Sequence, residues 1–246
     1  MNYNYVIIRE CNPGDNISVN ELVRNAYLSN VSYSWWNAIT KEITFQLIVL
    51  SAAVMFIFMG VPLPYCVLSV PFVLILIYLS IYSSLLMKAM EVTSSKRPVM
   101  SWVAEVYEPY FNANSPEKCS YKIIDENRLM YENFEVKKYR RRIIGTVAVS
   151  RHIQDEDVAW LFKLAVESRY RRKGIGHCLI QVVQNWSRRN HYNSIQLAIS
   201  ECQEYARQLF TDCQFDVKQL YHKPIFGNAL ALQMYHLEAK LDKPNI

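Results

Sequence analysis

At 246 residues, 51% of them hydrophobic and 13% aromatic, the chain has room for one domain plus an insertion and can bury a sizeable core. This composition excludes a disordered chain, which is poor in apolar side chains. Lys and Arg number 27 against 22 Asp and Glu, a net charge of +5.

The cations gather at Lys137, Lys138, Arg140, Arg141 and Arg142, and again at Arg169, Arg171, Arg172 and Lys173. Such clusters suit phosphate-bearing ligands or anionic lipid head groups. Neither cluster carries the repeated aromatic interleaving of a single-strand binder, so no nucleic-acid partner is expected. The cysteines (Cys11, Cys66, Cys119, Cys178, Cys202, Cys213) include no CxxC pair and no zinc spacing with histidine, so no metal site is expected. Cys178 and Cys213 fall on apolar helix faces, where a free buried thiol is ordinary, and reduced thiols fit a cytosolic domain. Met1–Tyr5 lacks the charged and apolar regions of a cleaved secretory signal.

In chain order, Tyr5–Arg9 reads as a strand and Ile17–Leu28 as a helix, with Ile17, Leu22, Val23 and Ala26 as its apolar positions. Ile43–Met87 contains no Asp, Glu, Lys or Arg and is broken only at Gly60-Val61-Pro62-Leu63-Pro64. The two arms, Ile43–Met59 and Tyr65–Met87, approach or exceed the roughly 17 to 25 residues that cross a bilayer. They read as a transmembrane helical hairpin with Pro71 kinking the second arm and Trp35, Trp36, Tyr78 and Tyr82 suited to the interfaces. Lys41 precedes the hairpin and Lys88, Lys96 and Arg97 follow it, while the turn carries no cation. Both flanks are therefore expected in the cytosol, and the sequons at Asn16 and Asn30 are expected to stay unglycosylated.

After the hairpin come strands at Met100–Val106, Arg142–Val149 and Val158–Val166, with a polar excursion over 109–138 between the first two and an acidic turn at Asp155-Glu156-Asp157. An excursion of that length in a compact domain suggests a lid. From Gly174 the period becomes helical through Ile175, Cys178, Leu179, Val182, Val183 and Trp186. A strand at Ser194–Ile199, a helix at Gln203–Cys213 and strands at Phe215–Tyr221 and Leu230–Leu237 complete the chain. The alternation implies an α/β fold, a mixed sheet with flanking helices interrupted by the hairpin. The expected domains are residues 1–41 (first strand and helix), 42–88 (hairpin) and 89–246 (core).

The informative segment is Leu161 to His177, a strand feeding a basic, glycine-containing turn that opens an amphipathic helix. Free amides of a helix's first turn, the positive end of its dipole and nearby cations together bind phosphate, and here a pyrophosphate is expected. A P-loop would need Lys-Ser/Thr after the second glycine. A dinucleotide-binding turn would need a third glycine and an acidic residue about twenty positions on, where this chain has Ser194.

Arg171-Arg172-Lys173-Gly174-Ile175-Gly176, preceded by the strand end Leu164-Ala165-Val166, resembles the Arg/Gln-x-x-Gly-x-Gly/Ala motif of the GNAT superfamily of acetyltransferases. The hydrophobic insert followed by a carboxy-terminal core resembles the membrane-bound group containing cysteine-S-conjugate N-acetyltransferase and the endoplasmic-reticulum lysine acetyltransferases. The resemblance implies acetyl-CoA as co-substrate. It places the pantetheine arm along Leu164, Ala165 and Val166, with Leu164 and Val166 offering backbone groups. The pyrophosphate falls to the Arg171 side chain and the amides of Arg172, Lys173, Gly174, Ile175, Gly176 and His177. It also implies a multi-pass protein of the endoplasmic reticulum whose acceptor is a small amine, an amino-acid conjugate or a protein lysine.

Direct transfer to an amine needs a base and an acid. Glu105 and Glu201 are the candidate bases, and Lys163 is a candidate for holding a substrate carboxylate. In the late helix the family's usual tyrosine is replaced by Phe210 and its following glycine by Gln214, which leaves Tyr205 as the nearest candidate acid. These two departures keep an alternative open: an acyl-CoA-binding membrane protein with little or no turnover, acting as a sensor or scaffold.

Overall fold

The computed structural model describes residues 4–94, 98–109, 119–125, 139–152, 155–226 and 230–241. Lys96, Arg97, Lys137, Lys138 and most of the 109–138 excursion lie outside the described residues. The chain forms two compact units, one of Met1–Ala26 with Val92–Ile246 and one of Tyr27–Glu91.

The first unit is built on an eight-stranded mixed sheet in the order β3-β1-β2-β4-β5-β6-β8-β7. Its strands are β1 (Asn4–Glu10), β2 (Met100–Pro109), β3 (Tyr121–Asp125), β4 (Tyr139–Arg151), β5 (Val158–Val166), β6 (Ser194–Ser200), β7 (Asp216–Phe226) and β8 (Leu230–Lys240). Pairing is antiparallel except for β1 with β3 and β5 with β6. β3 is a correction to the sequence reading, which left 109–138 as an uninterrupted excursion. Tyr121–Asp125 is too short a run to announce a strand by its own alternation, and it forms one by pairing with β1.

Helix α1 (Asn16–Leu28) buries Val19, Leu22 and Val23, whereas Ile17, expected on its apolar face, is 81% exposed. Ile17 sits in the first turn, and the inward face begins only at Val19. α5 (Ile175–Arg189) packs across β2, β4, β5 and β6, and α6 (Glu204–Asp212) packs against β6. α5 sinks Ile175, Leu179, Ile180 and Val183, each contributing about 1.5–3 kcal/mol of apolar burial. Gly145 of β4 permits this approach: a Cβ there would lie 3.0 Å from Ala104 Cβ and 3.1 Å from Leu179 Cδ1. Cys213 is buried as expected, and burial pushes its thiol pKa up to about 11, while Cys178 is only half-buried.

The second unit holds α2 (Val31–Ile39), α3 (Glu42–Met59) and α4 (Ser69–Ser94), with a 3-10 stretch over Leu63–Leu68. The sequence shows no signal for α2 and assigns residues 27–41 to the first segment, 1–41, whereas they fall in the second unit. Trp35 meets its neighbour Trp36 and, on α4, Tyr78, both edge-on, at centroid distances of 5.4 and 6.3 Å, and the second contact ties α2 to the hairpin. Gly60 ends α3 in the left-handed conformation (φ 64°) with its amide bonded to Met55 O, a glycine C-cap. Pro71 falls in the first turn of α4, after the 3-10 stretch, rather than at a kink inside an α-helix, because a missing N–H costs little there. Glu42–Met59 and Pro64–Ser94 are long and apolar enough to cross a membrane by length and composition, and of the most apolar 18 residues of each only 6% and 17% are buried.

Candidate active site

β5 and β6 run parallel but pair only over Val158–Trp160 and Ser194–Gln196. Beyond Trp160 and Gln196, β5 continues to Val166 and β6 to Ser200 without further pairing, so the sheet opens into a wedge between them. The wedge exposes the β6-facing backbone of Leu161–Val166. The β4 side of β5 carries a bulge: Thr146 opposes Ala165 and Ala148 opposes Phe162, so Lys163 and Leu164 together face Val147. Lys163 accommodates the extra residue with φ 55°, a left-handed conformation that a bulge can impose on a side-chain-bearing residue.

The mouth of the wedge leads to the basic turn. Ser168–Tyr170 form one 3-10 turn, Arg172 has φ 63°, and Gly174 caps α5 with φ 79°. The first intrahelical bond of α5 runs from Cys178 N–H to Gly174 O, so the amides of Ile175, Gly176 and His177 precede the helical ladder and point out of its positive end. At Gly176 a Cβ would come within 3.0 Å of Leu209 Cδ2, so this glycine seats α6 against the start of α5. Glycine at 174 serves the backbone conformation, because a Cβ there would meet nothing nearer than Ile123 Cδ1 at 3.9 Å.

The turn is braced from β2 and the β3 segment. Glu108 Oε1 accepts hydrogen bonds from Tyr121 OH at 2.7 Å and from Tyr170 OH at 3.0 Å, and the two rings meet edge-on. Burial, then this carboxylate, pushes both phenol pKa values well above the ordinary range. Lys173 donates to Cys119 O and lies over the Tyr121 ring, which makes it a tie between turn and β3 segment. Arg171 Nε donates to Val166 O at 3.0 Å, and the Arg172 guanidinium stands 5.9 Å from the Tyr205 ring. The residues expected to hold acetyl-CoA therefore meet at one place, the wedge and its mouth.

The expected catalytic residues do not converge: Glu105 lies away from the wedge, whereas Glu201 and Tyr205 lie at its mouth. Glu105 is 8% exposed and Oε2 accepts from Arg9 Nε at 3.0 Å and Tyr107 OH at 3.2 Å. Arg9 also binds Asp15 through two hydrogen bonds, and these two carboxylates hold its guanidinium pKa above the ordinary range against burial. With β4 between β2 and β5, Glu105 lies two strand spacings, about 10 Å, from β5. Glu201 follows β6 in a 3-10 turn at the mouth. Tyr205 is 81% exposed, and Phe210 is 3% exposed, packed edge-on against Phe215 at 5.3 Å. Lys163 Nζ donates to Thr93 O at 3.2 Å, and burial lowers its ammonium pKa. Gln214 takes φ 66°, the left-handed conformation that glycine adopts without strain.

Sequence reasoning missed a polar set at the root of the wedge. Leu197, Ile199, Leu237 and Ala239 face the core beneath α5 and α6, so by alternation Gln196, His236 and Glu238 face the other side of the sheet. Glu238 accepts from Ser194 Oγ at 2.9 Å, Gln196 Nε2 at 2.6 Å and Lys218 Nζ at 3.1 Å. Burial alone would raise its pKa, but these hydrogen bonds outweigh it and hold the carboxyl below the usual range. His236 Nε2 lies 3.0 Å from Gln196 Oε1, and its ring packs on Trp160 at 5.7 Å. No signal in the local sequence marks this set, because β8 reaches β6 only through long-range pairing.

Residues 99–215, just under half of the chain, match the family model described as Acetyltransferase (GNAT) family. No curated protein matches the sequence. Among solved structures, one assigned as a phosphinothricin N-acetyltransferase has a TM-score of 0.50 at 12% identity, covering 96% of this chain and 99% of that one. An N-acetyltransferase from Staphylococcus aureus Mu50 gives 0.48 at 10%, with the same coverages of 96% and 99%. A protein assigned as a streptothricin acetyltransferase from Bacillus anthracis str. Ames, in complex with acetyl coenzyme A, gives 0.41 at 15% over 60% of this chain, which spans 65% of that protein's length. The mixed sheet with its flanking helices has the GNAT acetyltransferase fold.

Proposed function

We propose that this chain is a membrane-anchored N-acetyltransferase that moves acetyl from acetyl-CoA directly to a primary amine. One observation carries the reading: a wedge between parallel strands that opens onto the outward-pointing amides of Ile175, Gly176 and His177. A pantetheine arm fits the wedge because Leu161–Ala165 offer it a strand edge that β6 does not pair, with Val166 O held by Arg171, and a pyrophosphate fits the helix start, where amides and dipole meet it. Arg171 and Arg172 add positive charge at the same mouth.

The anchor is the apolar hairpin. Phe45, Leu50, Phe58 and Phe72 are each at least 60% exposed, a surface that water disfavours and lipid accepts. Lys41 and Lys88 at the hairpin's ends support a cytosolic active domain with both termini on the same side, where acetyl-CoA is plentiful. An endoplasmic-reticulum protein of the group resembling cysteine-S-conjugate N-acetyltransferase suits this layout. Its acceptor is a small amphiphilic amine, an amino-acid conjugate or a protein lysine. Unmodified Asn16 and Asn30 are the expected result of glycan mapping, and glycosylation of either would refute the orientation.

Buried Phe210, which has no hydroxyl, and Tyr205, 81% exposed, favour a second reading, acyl-CoA binding without turnover, since among the described residues no buried tyrosine stands where the late helix would supply the acid. The test is acetyl-CoA consumption by the full-length protein in detergent, offered S-substituted cysteines, polyamines and lysine peptides. Turnover with one class names the acceptor. Tight binding of acetyl-CoA without turnover selects the second reading, and failure to bind overturns both.

A further inference from the structure

We infer that His236 is the group that takes the proton from the incoming amine, acting through Nδ1 at the root of the wedge. This inference rests on the proposed acetyl transfer and deepens it by naming a catalytic side chain.

The position follows from strand lengths. From Val166, beside the phosphate-binding turn, back to Trp160, where β5 and β6 rejoin, are six residues, about 20 Å of strand. An extended pantetheine arm entering at the mouth is of comparable length, so its thioester arrives near Trp160 and Gln196. His236 stands at that level: it pairs with Ala198, contacts Gln196 and packs on the Trp160 ring. It faces away from the core beneath α5 and α6, on the side from which the amine would approach to meet the imidazole beside the thioester.

The hydrogen bonds assign the tautomer. Glu238 is an ionised carboxylate and only accepts, so the Gln196 group 2.6 Å from it must be the NH2. That orientation turns Gln196 Oε1 toward His236, and an amide oxygen also only accepts. Nε2 must therefore carry the hydrogen, which leaves the lone pair on Nδ1. Glu238 thus positions His236 through Gln196.

The charged environment keeps the imidazole neutral. Burial lowers its pKa most, the Lys218 cation next, and His152 adds to both, while Glu238 opposes them. The net shift is downward, so His236 is an unprotonated acceptor at pH 7. In the transfer, Nδ1 takes one proton from the ammonium and later releases it to solvent. The freed amine forms an N–C bond at the thioester carbonyl and the C–S bond breaks. The second proton shed by nitrogen goes to the departing thiolate, leaving an amide and free CoA.

The test uses the full-length protein in detergent with the acceptor it acetylates, comparing wild type with His236→Ala, His236→Gln and Gln196→Met. For wild type, kcat/KM should fall on acidification with a limb below about pH 6.5, the ordinary histidine value. His236→Ala should bind acetyl-CoA with unchanged affinity, lose about 100-fold or more in kcat/KM, lose the acid limb and recover rate on addition of imidazole. His236→Gln, which preserves the packing better, should share the rate loss. Gln196→Met, which releases the tautomer, should retain the limb at reduced rate. If both His236 variants keep the wild-type rate and limb while acetyl-CoA binding is intact, the assignment is wrong and the acetyltransferase reading stands. A wild-type chain that does not bind acetyl-CoA overturns that reading and the assignment with it.

Discussion

Replacing Gly174 separates the charge of the candidate phosphate site from its shape. Gly174 has φ 79°, and a Cβ there has open space, with Ile123 Cδ1 the nearest atom at 3.9 Å. Asn and Asp tolerate the left-handed conformation better than other side-chain-bearing residues, and the two are nearly isosteric. Gly174→Asn should therefore retain the fold and most acetyl-CoA affinity. Gly174→Asp adds a negative charge beside the amides of Ile175, Gly176 and His177. At about 5 Å from one phosphate charge and an effective dielectric near 20, the repulsion is about 3 kcal/mol. At 1.4 kcal/mol per decade, that is about 100-fold in Kd. The same carboxylate favours the positive end of the helix dipole, so the Asp variant should melt no lower than the Asn variant while binding far more weakly. Calorimetric titration of acetyl-CoA into full-length protein, with melting curves alongside, reads both effects. In about 1 M salt, where the Debye length shrinks to about 3 Å, the gap between the variants should narrow. Equal affinities for Asn and Asp at low salt would refute the placement of a pyrophosphate at this helix start.

Three further outcomes follow from the geometry. Gln214→Gly should raise stability by about 1 kcal/mol by relieving the left-handed φ of 66°, a gain of about 2–4 °C in Tm by calorimetry, and a lowered Tm would refute it. Glu108→Leu removes the acceptor that Tyr121 and Tyr170 share and should cost about 1–3 kcal/mol in denaturant unfolding, and weaken acetyl-CoA binding by loosening the turn. Adding Tyr170→Phe should restore part of that stability, and strict additivity of the two changes would argue against the contact. Asp15, held below its usual pKa chiefly by the hydrogen bond from Arg9, contributes stability that is present above the unfolded carboxyl value and lost as pH falls through the lower folded value. Asp15→Asn should therefore flatten the decline in stability below about pH 4, which acid titration of the unfolding midpoint would detect.

The local signals in the chain were those with a short physical range. A turn that binds phosphate needs glycine and cations within a few residues of a helix start, and Arg171–Gly176 shows them in order. The hairpin is legible because an uncharged run is a property of consecutive residues, and α5 because its apolar period repeats within one helix. What the tertiary structure decided were the relations between distant segments. The wedge exists because β6 leaves β5 after Gln196, the left-handed Lys163 because β5 must match β4 around a bulge, and β3 because β1 offers it an edge. The placement of Glu105 against Arg9, and of His236 against Gln196, depends on strand pairs 96 and 40 residues apart. Strand register is set by which apolar faces are buried together, and that long-range choice leaves no mark on the residues beside a histidine in its own strand.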